Sequence, residues 1–323
     1  MRVLTSIAEV ASLTRSLEQA VGRVMVGKHA TVRLVLAALL ASRHVLLEDV
    51  PGTGKTTLIK ALARASGASS ARLQFTPDLL PSDVTGFNAY DPTQGVFRFR
   101  EGPVFHHLVL VDEINRASPK TQAALLECME ERQVSVDGVT YPLPAPFLVL
   151  ATQNPVEYEG TFPLPEAELD RFGLKLNLGY PNHAEEVALL DRFTQEDPLA
   201  TLEPVCAVAD LQAAQAACRQ VHVAAALKDY AVDLCAETRR NAAVALGASP
   251  RATLTLIGLA QAVAAMADRD YVLPDDIKLL VPWVLPHRIV LTAAARWRQL
   301  TPEAVVRSTL RSVQVPTAVA ARR

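Results

Sequence analysis

The stretch VLLEDVPGTGKTTLIKAL, residues 45–62, joins a short apolar run to a loop with two glycines and then to a helical pattern. This order is typical of a phosphate-binding loop, in which backbone N–H groups surround phosphates just ahead of a helix N-terminus. Lys55 can reach the β- and γ-phosphates, and the Thr56 hydroxyl suits Mg²⁺. The stretch therefore predicts an α/β nucleotide-binding fold. We assign nucleotide contacts to the whole loop: Pro51, Gly52, Thr53, Gly54, Lys55, Thr56 and Thr57.

One residue of the stretch departs from the phosphate-loop motif, which asks for glycine at the position of Asp49. Glycine is needed most where the loop is tightest, and Gly52 and Gly54 are present there. Asp49 precedes the turn, so its side chain can point away from the ligand. We therefore expect the site to be intact. An ordinary glycine-rich turn is the alternative, and the complete run PGTGKTT argues against it.

Two further apolar strands are followed by polar residues that suit phosphoryl transfer. LVLVDEINR, residues 108–116, ends in Asp112, which is placed to hold Mg²⁺, and Glu113, which can polarise the attacking water. PFLVLATQNP, residues 146–155, ends near Asn154, whose amide can position that water. The alternatives are a charged turn after the first strand and an Asn-Pro turn after the second.

Arginines are the remaining candidates, because a guanidinium stabilises the charge that develops during phosphoryl transfer. Arg171 lies in LDRFG, and Arg251 follows the helix-start pair Ser249-Pro250. A cation in the first turn of a helix opposes the helix dipole, so Arg251 indicates an anionic partner. Simple surface charges are the alternative for both residues. Arg116 is interpreted as an interface residue, and the sequence leaves its role open.

Strand-like and helical patterns alternate in the first half of the chain, which predicts a parallel α/β sheet. Residues 3–41 are predicted to be helical. The predicted strands are residues 45–48, 107–113, 146–155 and 173–178. Beyond GYPN, residues 179–182, the strand patterns fade and Ala- and Leu-rich helical patterns continue. We therefore predict a core at residues 1–180 and an all-helical lid at residues 181–323.

Two short segments predict hairpins. QVSVDGVTY contains Asp137-Gly138 between two β-rich runs, a strong two-residue turn signal. GVFRFREGP alternates, so Phe97 and Phe99 are expected on one strand face, with the two intervening arginines on the other. Each hairpin either packs on its own subunit or is presented to another molecule, and the sequence leaves both interpretations open.

Composition limits the class of protein. The 323 residues are 50% hydrophobic and 20% charged, with net charge −2, so we expect no nucleic-acid partner. The apolar run LVLAALLASRHVLL is broken by charge and is shorter than the roughly 18 residues of a membrane span.

The four cysteines form no C-x-x-C pair and are interpreted as reduced thiols of a cytoplasmic protein. No Cys or carboxylate lies at metal-ligand spacing from His106 and His107, so this pair does not indicate a metal site.

The chain resembles the MoxR family of AAA+ ATPases, within the clade that carries an insert in helix 2. The resemblance rests on LLEDVPGTGKTTL, LQFTPDLLPSDVTG, FREGPVFHHLVLVDEINRASPKTQAALLECMEERQVSVDG and VLATQNPVEYEGTFPLPEAELDRF, and it covers nearly the whole chain. It implies a P-loop AAA+ core, a helical lid, and ATP and Mg²⁺ as cofactors.

The same resemblance implies roles for individual residues. Lys55 and Thr56 match Walker A, Asp112 and Glu113 match Walker B, and Asn154 matches sensor 1. Arg171 matches an arginine finger that is contributed to the neighbouring subunit. Arg251 matches sensor 2, which reaches the nucleotide of its own subunit from the lid.

The family implies an oligomeric ring, usually hexameric, that couples ATP hydrolysis to remodelling or metal-cofactor maturation of client proteins. Clients are often reached through a partner with a von Willebrand factor A domain. A motor subunit of a magnesium-chelatase-like complex is one alternative, although TPDLLPSDVTG favours MoxR. A DNA-translocating AAA+ helicase would need a basic pore face or an added DNA-binding domain. A nucleotide-gated binding protein that barely hydrolyses ATP is the third alternative.

Overall fold

The structure is a computed structural model that describes residues 6–49, 52–153, 161–193 and 197–316. Pro51 and Asn154 lie outside the described residues. The helices are α1 Ile7–Gly22, α2 His29–Leu40, α3 Lys55–Ser66, α4 Pro81–Thr85, α5 Pro119–Glu131, α6 Glu166–Leu169, α7 His183–Phe193, α8 Val208–Cys218, α9 Ala225–Arg240, α10 Pro250–Met266, α11 Pro274–Val284, α12 Ala293–Trp297 and α13 Pro302–Ser312. The strands are β1 His44–Glu48, β2 Ser70–Gln74, β3 Gly86–Asp91, β4 Val96–Glu101, β5 Leu108–Asp112, β6 Gln133–Val136, β7 Val139–Pro142, β8 Leu148–Gln153, β9 Phe172–Leu176, β10 Val244–Leu246 and β11 Val290–Leu291.

A five-stranded parallel sheet with the strand order β2-β5-β8-β1-β9 forms the centre of the core. Its inner strands are buried on both faces, which explains why β1, β5 and β8 read as continuous apolar runs. Because the strands are parallel, their carboxyl ends meet at one edge. The pairing of Gln74 with Asp112 and of Glu48 with Gln153 gathers the polar strand ends at that edge.

All four predicted strands are present, with ends that differ by one or two residues where the structure describes them. The sequence analysis missed β2, the edge strand Ser70–Gln74. Its residues are mostly exposed or half-buried, so it lacks an apolar run. The exposure of β2 therefore removed the apolar pattern on which the other strands, including the buried edge strand β9, were predicted.

The predicted helices are also present. The helical region predicted at residues 3–41 divides into α1 and α2. Ser118 caps α5 by accepting the N–H of Thr121 at 3.4 Å, and Ser249 caps α10 by accepting the N–H of Arg251 at 3.1 Å. The region after α7 is helical, as predicted, apart from the short antiparallel pair β10–β11.

The C-terminal helices pack directly on the core. Helices α1 and α2 contact α8 and α10, and one buried apolar cluster runs from the sheet through these helices. Arg288, only 4% exposed, donates from Nε to Asp170 Oδ1 at 2.7 Å and from Nη2 to the Phe172 carbonyl at 2.6 Å. The boundary near residue 180 stays a prediction, since the two regions share this cluster.

The two hairpins form and contact each other. The β6–β7 turn has φ of 50° at Asp137 and 81° at Gly138, as the Asp-Gly signal predicts. Register places Phe97 and Phe99 on one face of the β3–β4 hairpin. The Phe99 ring stacks on Tyr141 of β7 with 4.0 Å between ring centroids. The hairpins therefore support each other, while the tip residue Phe97 stays exposed.

Candidate active site

The phosphate loop lies between β1 and α3, as the sequence predicts. Gly52 and Gly54 have φ of 84° and 91°, values that favour glycine over residues with a side chain. Gly54 is the N-cap of α3, and Lys55 is its first residue. The N-terminus of this helix therefore lies at the site where phosphates are predicted to bind.

A cavity of about 370 Å³ opens at this edge of the sheet. Its lining residues are Asp49, Gly52, Gly54, Lys55, Thr56, Thr57, Arg72, Gln74, Asp112, Glu113 and Thr152. The fold thus brings the loop and both carboxylates together. The Thr56 hydroxyl and the Asp112 carboxylate supply the oxygen ligands that Mg²⁺ prefers, while Lys55 and the helix N-terminus suit phosphate. The donor set fits a nucleotide with Mg²⁺.

The Thr152 hydroxyl forms hydrogen bonds with both Asp112 and Glu113. Thr152 Oγ1 accepts the N–H of Glu113 at 2.9 Å and donates to Asp112 Oδ1 at 3.3 Å. Asp112 Oδ2 also accepts a hydrogen bond from Arg72 Nε at 2.6 Å. The carboxylate that is predicted to hold Mg²⁺ is therefore oriented from two neighbouring strands.

The Glu113 carboxylate is held from two sides. Its Oε2 atom accepts a hydrogen bond from Gln74 Nε2 at 2.7 Å and lies 3.3 Å from Arg116 Nε. Glu113 has φ of 58°, a left-handed conformation that is uncommon for a residue with a side chain. The backbone is thus turned sharply at the predicted base. Arg116, whose role the sequence left open, lies beside that base.

Sequence reasoning missed Arg72, Gln74 and Thr152 as site residues. Arg72 and Gln74 belong to β2, the strand that was not predicted. The alternation in SARLQ and its place between α3 and the second motif are the signal that could have revealed it. Thr152 precedes Asn154 by two residues and was passed over in favour of the amide.

A second, more apolar cavity of about 200 Å³ lies on the other side of the phosphate loop. Its lining residues are Val24, Met25, Val26, Lys28, Gly52, Thr53, Gly54, Thr57, Pro181 and Leu189. It shares loop residues with the first cavity, so one ligand can occupy both. Its apolar walls come from the segment after α1 and from the start of the C-terminal region.

Arg171 and Arg251 lie together in a third cavity of about 230 Å³, and none of its lining residues lines the cavity around Lys55. Both arginines pair with Glu130 of α5. Arg171 Nε lies 3.0 Å from Glu130 Oε2, and Arg251 Nη2 lies 2.5 Å from Glu130 Oε1. The structure thus places the two predicted arginines side by side. Among the described residues, neither contacts the phosphate loop.

This cavity carries an excess of positive charge. Arg43 and Arg132 also line it, so four guanidinium groups face the single carboxylate of Glu130. Burial lowers the pKa of Arg43, and the positive charge of Arg251 lowers it further. Burial also lowers the pKa of Arg132 to about 10. Positive groups held this closely favour the approach of an anion.

Other chemistry is not supported by the described part of the chain. No group of three or more His, Cys, Asp or Glu residues there could hold a metal ion. Burial raises the pKa of the Cys128, Cys206 and Cys218 thiols to about 12, which makes them poor nucleophiles. Within the same residues, no helix has the length and apolar character needed to cross a bilayer.

Two protein-family models match parts of the chain. Residues 44–174 match the family model described as "ATPase family associated with various cellular activities (AAA)", and residues 236–309 match "AAA lid domain". The chain is 52% identical to "Uncharacterized protein YeaC" of Bacillus subtilis, over 92% of each chain. It is 43% identical to "Chaperone MoxR1" of Mycobacterium tuberculosis, over 96% of this chain and 84% of that protein. A crystal structure from Cytophaga hutchinsonii is similar with a TM-score of 0.90 and 36% identity, over 96% of this chain and 97% of that chain.

Proposed function

The chain belongs to the MoxR family of AAA+ ATPases, and we propose that it hydrolyses ATP to ADP and phosphate in order to remodel client proteins. The observation that carries this proposal is the convergence of Lys55, Thr56, Asp112 and Glu113 on one cavity. A protein that binds ATP without hydrolysing it needs the phosphate loop but needs no base. It would therefore have no use for a carboxylate held at Glu113 by a left-handed backbone conformation. The geometry therefore favours hydrolysis over nucleotide-gated binding.

Each residue of the cavity has a proposed part in the reaction. Lys55 and the first turn of α3 bind the phosphates, and Thr56 and Asp112 would hold Mg²⁺, which neutralises developing negative charge. Glu113 accepts the proton of the attacking water, and Asn154 is assigned by its motif to orient that water. Pro51 is assigned to the loop by the same motif.

The apolar cavity on the far side of the loop suits the base of the nucleotide. Met25 and Val26 offer apolar surface to a planar ring, and the neighbouring Gly54 lets the loop approach closely. Thr57 lines both cavities, so a nucleotide can place its base on one side and its phosphates on the other. We propose that ATP binds in this orientation.

Arg171 and Arg251 are proposed to act together on the active site of a neighbouring subunit. They share Glu130 as a partner, and their cavity is separate from that of Lys55. Its excess positive charge suits the phosphates of a nucleotide that a second subunit presents. This proposal keeps the predicted finger role of Arg171 and replaces the same-subunit role predicted for Arg251. It requires an oligomer, which we propose is a hexameric ring.

The client is proposed from the family alone. One relative bears the word chaperone in its name, which supports remodelling as the purpose of hydrolysis. Delivery of clients by a partner with a von Willebrand factor A domain, and maturation of a metal cofactor, are parts of the same proposal. The exposed tip of the β3–β4 hairpin, with Phe97 and Tyr90 in contact, is the surface we propose for the client.

The Glu113→Gln variant tests the proposed function. It retains the shape of the side chain but cannot accept a proton, so ATP binding should persist while turnover falls by about 10²–10⁴. Glu131→Gln, on the exposed side of α5, is the matched control and should retain full turnover. Equal loss of binding and turnover in Glu113→Gln would contradict a role as the base. The ATP-bound variant can also serve to capture the client.

A further inference from the structure

Asp49, which replaces the first glycine of the phosphate-loop motif, makes contacts outside that loop. It directly follows β1 and is 6% exposed. Its Oδ2 atom accepts the N–H of Leu178 at 2.7 Å and the N–H of Gly179 at 2.9 Å. These residues lie between β9 and α7, in the segment that leads from the sheet to the C-terminal helices. We call residues 178–180 the connector.

The main chain of Asp49 faces the nucleotide site. Its carbonyl accepts a hydrogen bond from Lys55 Nζ at 3.1 Å, and its N–H donates to the Gln153 carbonyl at 3.2 Å. Gln153 is the last residue of β8, immediately before Asn154. A single residue thus contacts the phosphate-binding lysine, the strand that leads to sensor 1, and the connector.

The connector is held from its other side by Lys28. The Lys28 Nζ atom donates to the carbonyls of Gly179 and Tyr180, both at 3.1 Å. Lys28 is the N-cap residue of α2 and lines the apolar cavity beside the phosphate loop. The Gly179 residue is therefore bonded through its N–H to an anion and through its carbonyl to a cation. Hydrogen bonds to charged groups are stronger than those between neutral ones.

We propose that Asp49 is a positioning residue that couples phosphate binding at Lys55 to the connector. This inference rests on the proposed function, because it requires a nucleotide at the phosphate loop. A phosphate oxygen and the Asp49 carbonyl both accept hydrogen bonds from the ammonium group of Lys55, which has three N–H donors. When phosphate draws Lys55 toward itself, the bond to the Asp49 carbonyl changes, and the Asp49 carboxylate transmits the shift to Leu178 and Gly179.

Coupling requires that the nucleotide act differently on two states of the connector. A merely structural tether would hold the connector equally with and without nucleotide. The distinguishing quantity is therefore the nucleotide-dependent change in hydrogen exchange at the amides of Leu178 and Gly179. Both amides donate to Asp49 Oδ2, so their exchange reports directly on its carboxylate.

The chain offers a sharp pair of variants. Asp49→Gly restores the glycine that the motif asks for and removes the carboxylate. Asp49→Asn keeps one side-chain oxygen. That oxygen can accept the N–H groups of Leu178 and Gly179, because a single oxygen, Oδ2, accepts both in the native protein. Asp210→Ala is the matched control, because Asp210 Oδ2 accepts the N–H of Ala207 at 2.8 Å far from the connector.

Hydrogen exchange of the full chain is measured with and without a non-hydrolysable ATP analogue and Mg²⁺. In the native protein and in Asp49→Asn, exchange at residues 178 and 179 should change when the analogue binds. In Asp49→Gly, exchange there should be faster by about tenfold or more, the effect of losing one charge-assisted hydrogen bond, and should no longer respond to the analogue. Asp210→Ala should respond as the native protein does.

Steady-state kinetics complete the test. Asp49→Gly should keep KM for ATP within about threefold while kcat falls by about tenfold, the split expected when binding survives and positioning is lost. A native connector whose exchange ignores the analogue would overturn the coupling, as would Asp49→Gly that still responds. If the native protein binds no ATP at all, the proposed function is contradicted instead. Failure of the coupling and failure of the proposed function can therefore be distinguished.

Discussion

Gln74 Nε2 donates a hydrogen bond of 2.7 Å to Glu113 Oε2, so the last residue of β2 holds the residue that follows β5. The two strands are adjacent and in register, which places these side chains at the same edge of the sheet. Gln74 therefore orients the predicted base from outside the motif that contains it.

Replacing Gln74 tests that orientation. Gln74→Ala should lower kcat by about tenfold with little change in KM, because it removes a hydrogen bond to the charged base, and such a bond contributes about 1.5–3 kcal/mol. The variant also removes the acceptor Gln74 Oε1, which lies 3.4 Å from Arg72 Nη2. Steady-state ATP turnover provides the measurement. Gln133→Ala, an exposed glutamine at the start of β6, is the control. A higher kcat in Gln74→Ala would mean that the contact restrains Glu113 and does not position it.

Lys55 is expected to be essential for ATP binding. Lys55→Ala should weaken ATP affinity by about 10–150-fold, since the phosphates lose a charge-assisted hydrogen bond worth about 1.5–3 kcal/mol. Titration with labelled ATP gives the dissociation constant. Lys60→Ala is the matched control, because Lys60 is an exposed lysine of the same helix. Unchanged affinity in Lys55→Ala would contradict the assignment of the loop.

A buried histidine predicts loss of stability in mild acid. His44 Nδ1 accepts the N–H of Val149 at 2.9 Å, so its Nε2 carries the proton and donates to the Met129 carbonyl at 3.0 Å. Burial lowers the pKa of His44 well below its usual value, and the charge of Arg132 lowers it further. The folded protein therefore keeps this residue neutral at a pH where the unfolded chain protonates it.

The free energy of unfolding therefore falls as the pH is lowered. The stability is fully present above the unfolded pKa of about 6.5, and below it each such histidine removes up to about 1.4 kcal/mol per pH unit from the free energy of unfolding. His287, whose pKa is lowered in the same direction by burial, adds to the effect. Urea unfolding at about pH 7.5 and about pH 5.5 measures the difference.

Two variants isolate the contribution of His44. His44→Gln should remove the share of the pH dependence that comes from this residue, at most about one proton taken up on unfolding. His183→Gln, at an exposed residue at the start of α7, is the matched control. A native protein whose unfolding free energy is the same at both pH values would contradict the neutral, buried state of His44.

The sequence predicted what depends on local pattern. Apolar runs located β1, β5, β8 and β9 because those strands are buried, and the loop glycines located the phosphate site. It did not predict β2, because that strand is mostly exposed or half-buried and has no apolar run, and Gln74 and Arg72 were missed with it. Asp112 and Glu113 line one cavity, and their roles as magnesium ligand and base stay predictions.

Long-range placement could not be predicted from pattern. Nothing near Arg251 in the chain indicates that it meets Arg171 at Glu130, because that meeting depends on how α10 packs against the core. Likewise, the Asp49 carboxylate finds its partners about 130 residues further along the chain, at Leu178 and Gly179. Such contacts are set by tertiary packing, which local pattern does not record.

We propose that each working site combines Glu113 of one subunit with Arg171 of the next. Arg171→Ala and Glu113→Gln should each bind ATP and hydrolyse it poorly, because each removes a group that acts in the transition state. The two variants are therefore mixed, subunit exchange is verified, and ATP turnover of the mixture is measured. Some interfaces then pair an intact Glu113 with an intact Arg171, and we expect turnover to rise above that of either variant alone. A mixture that has exchanged subunits and stays as inactive as its parents would contradict the shared site.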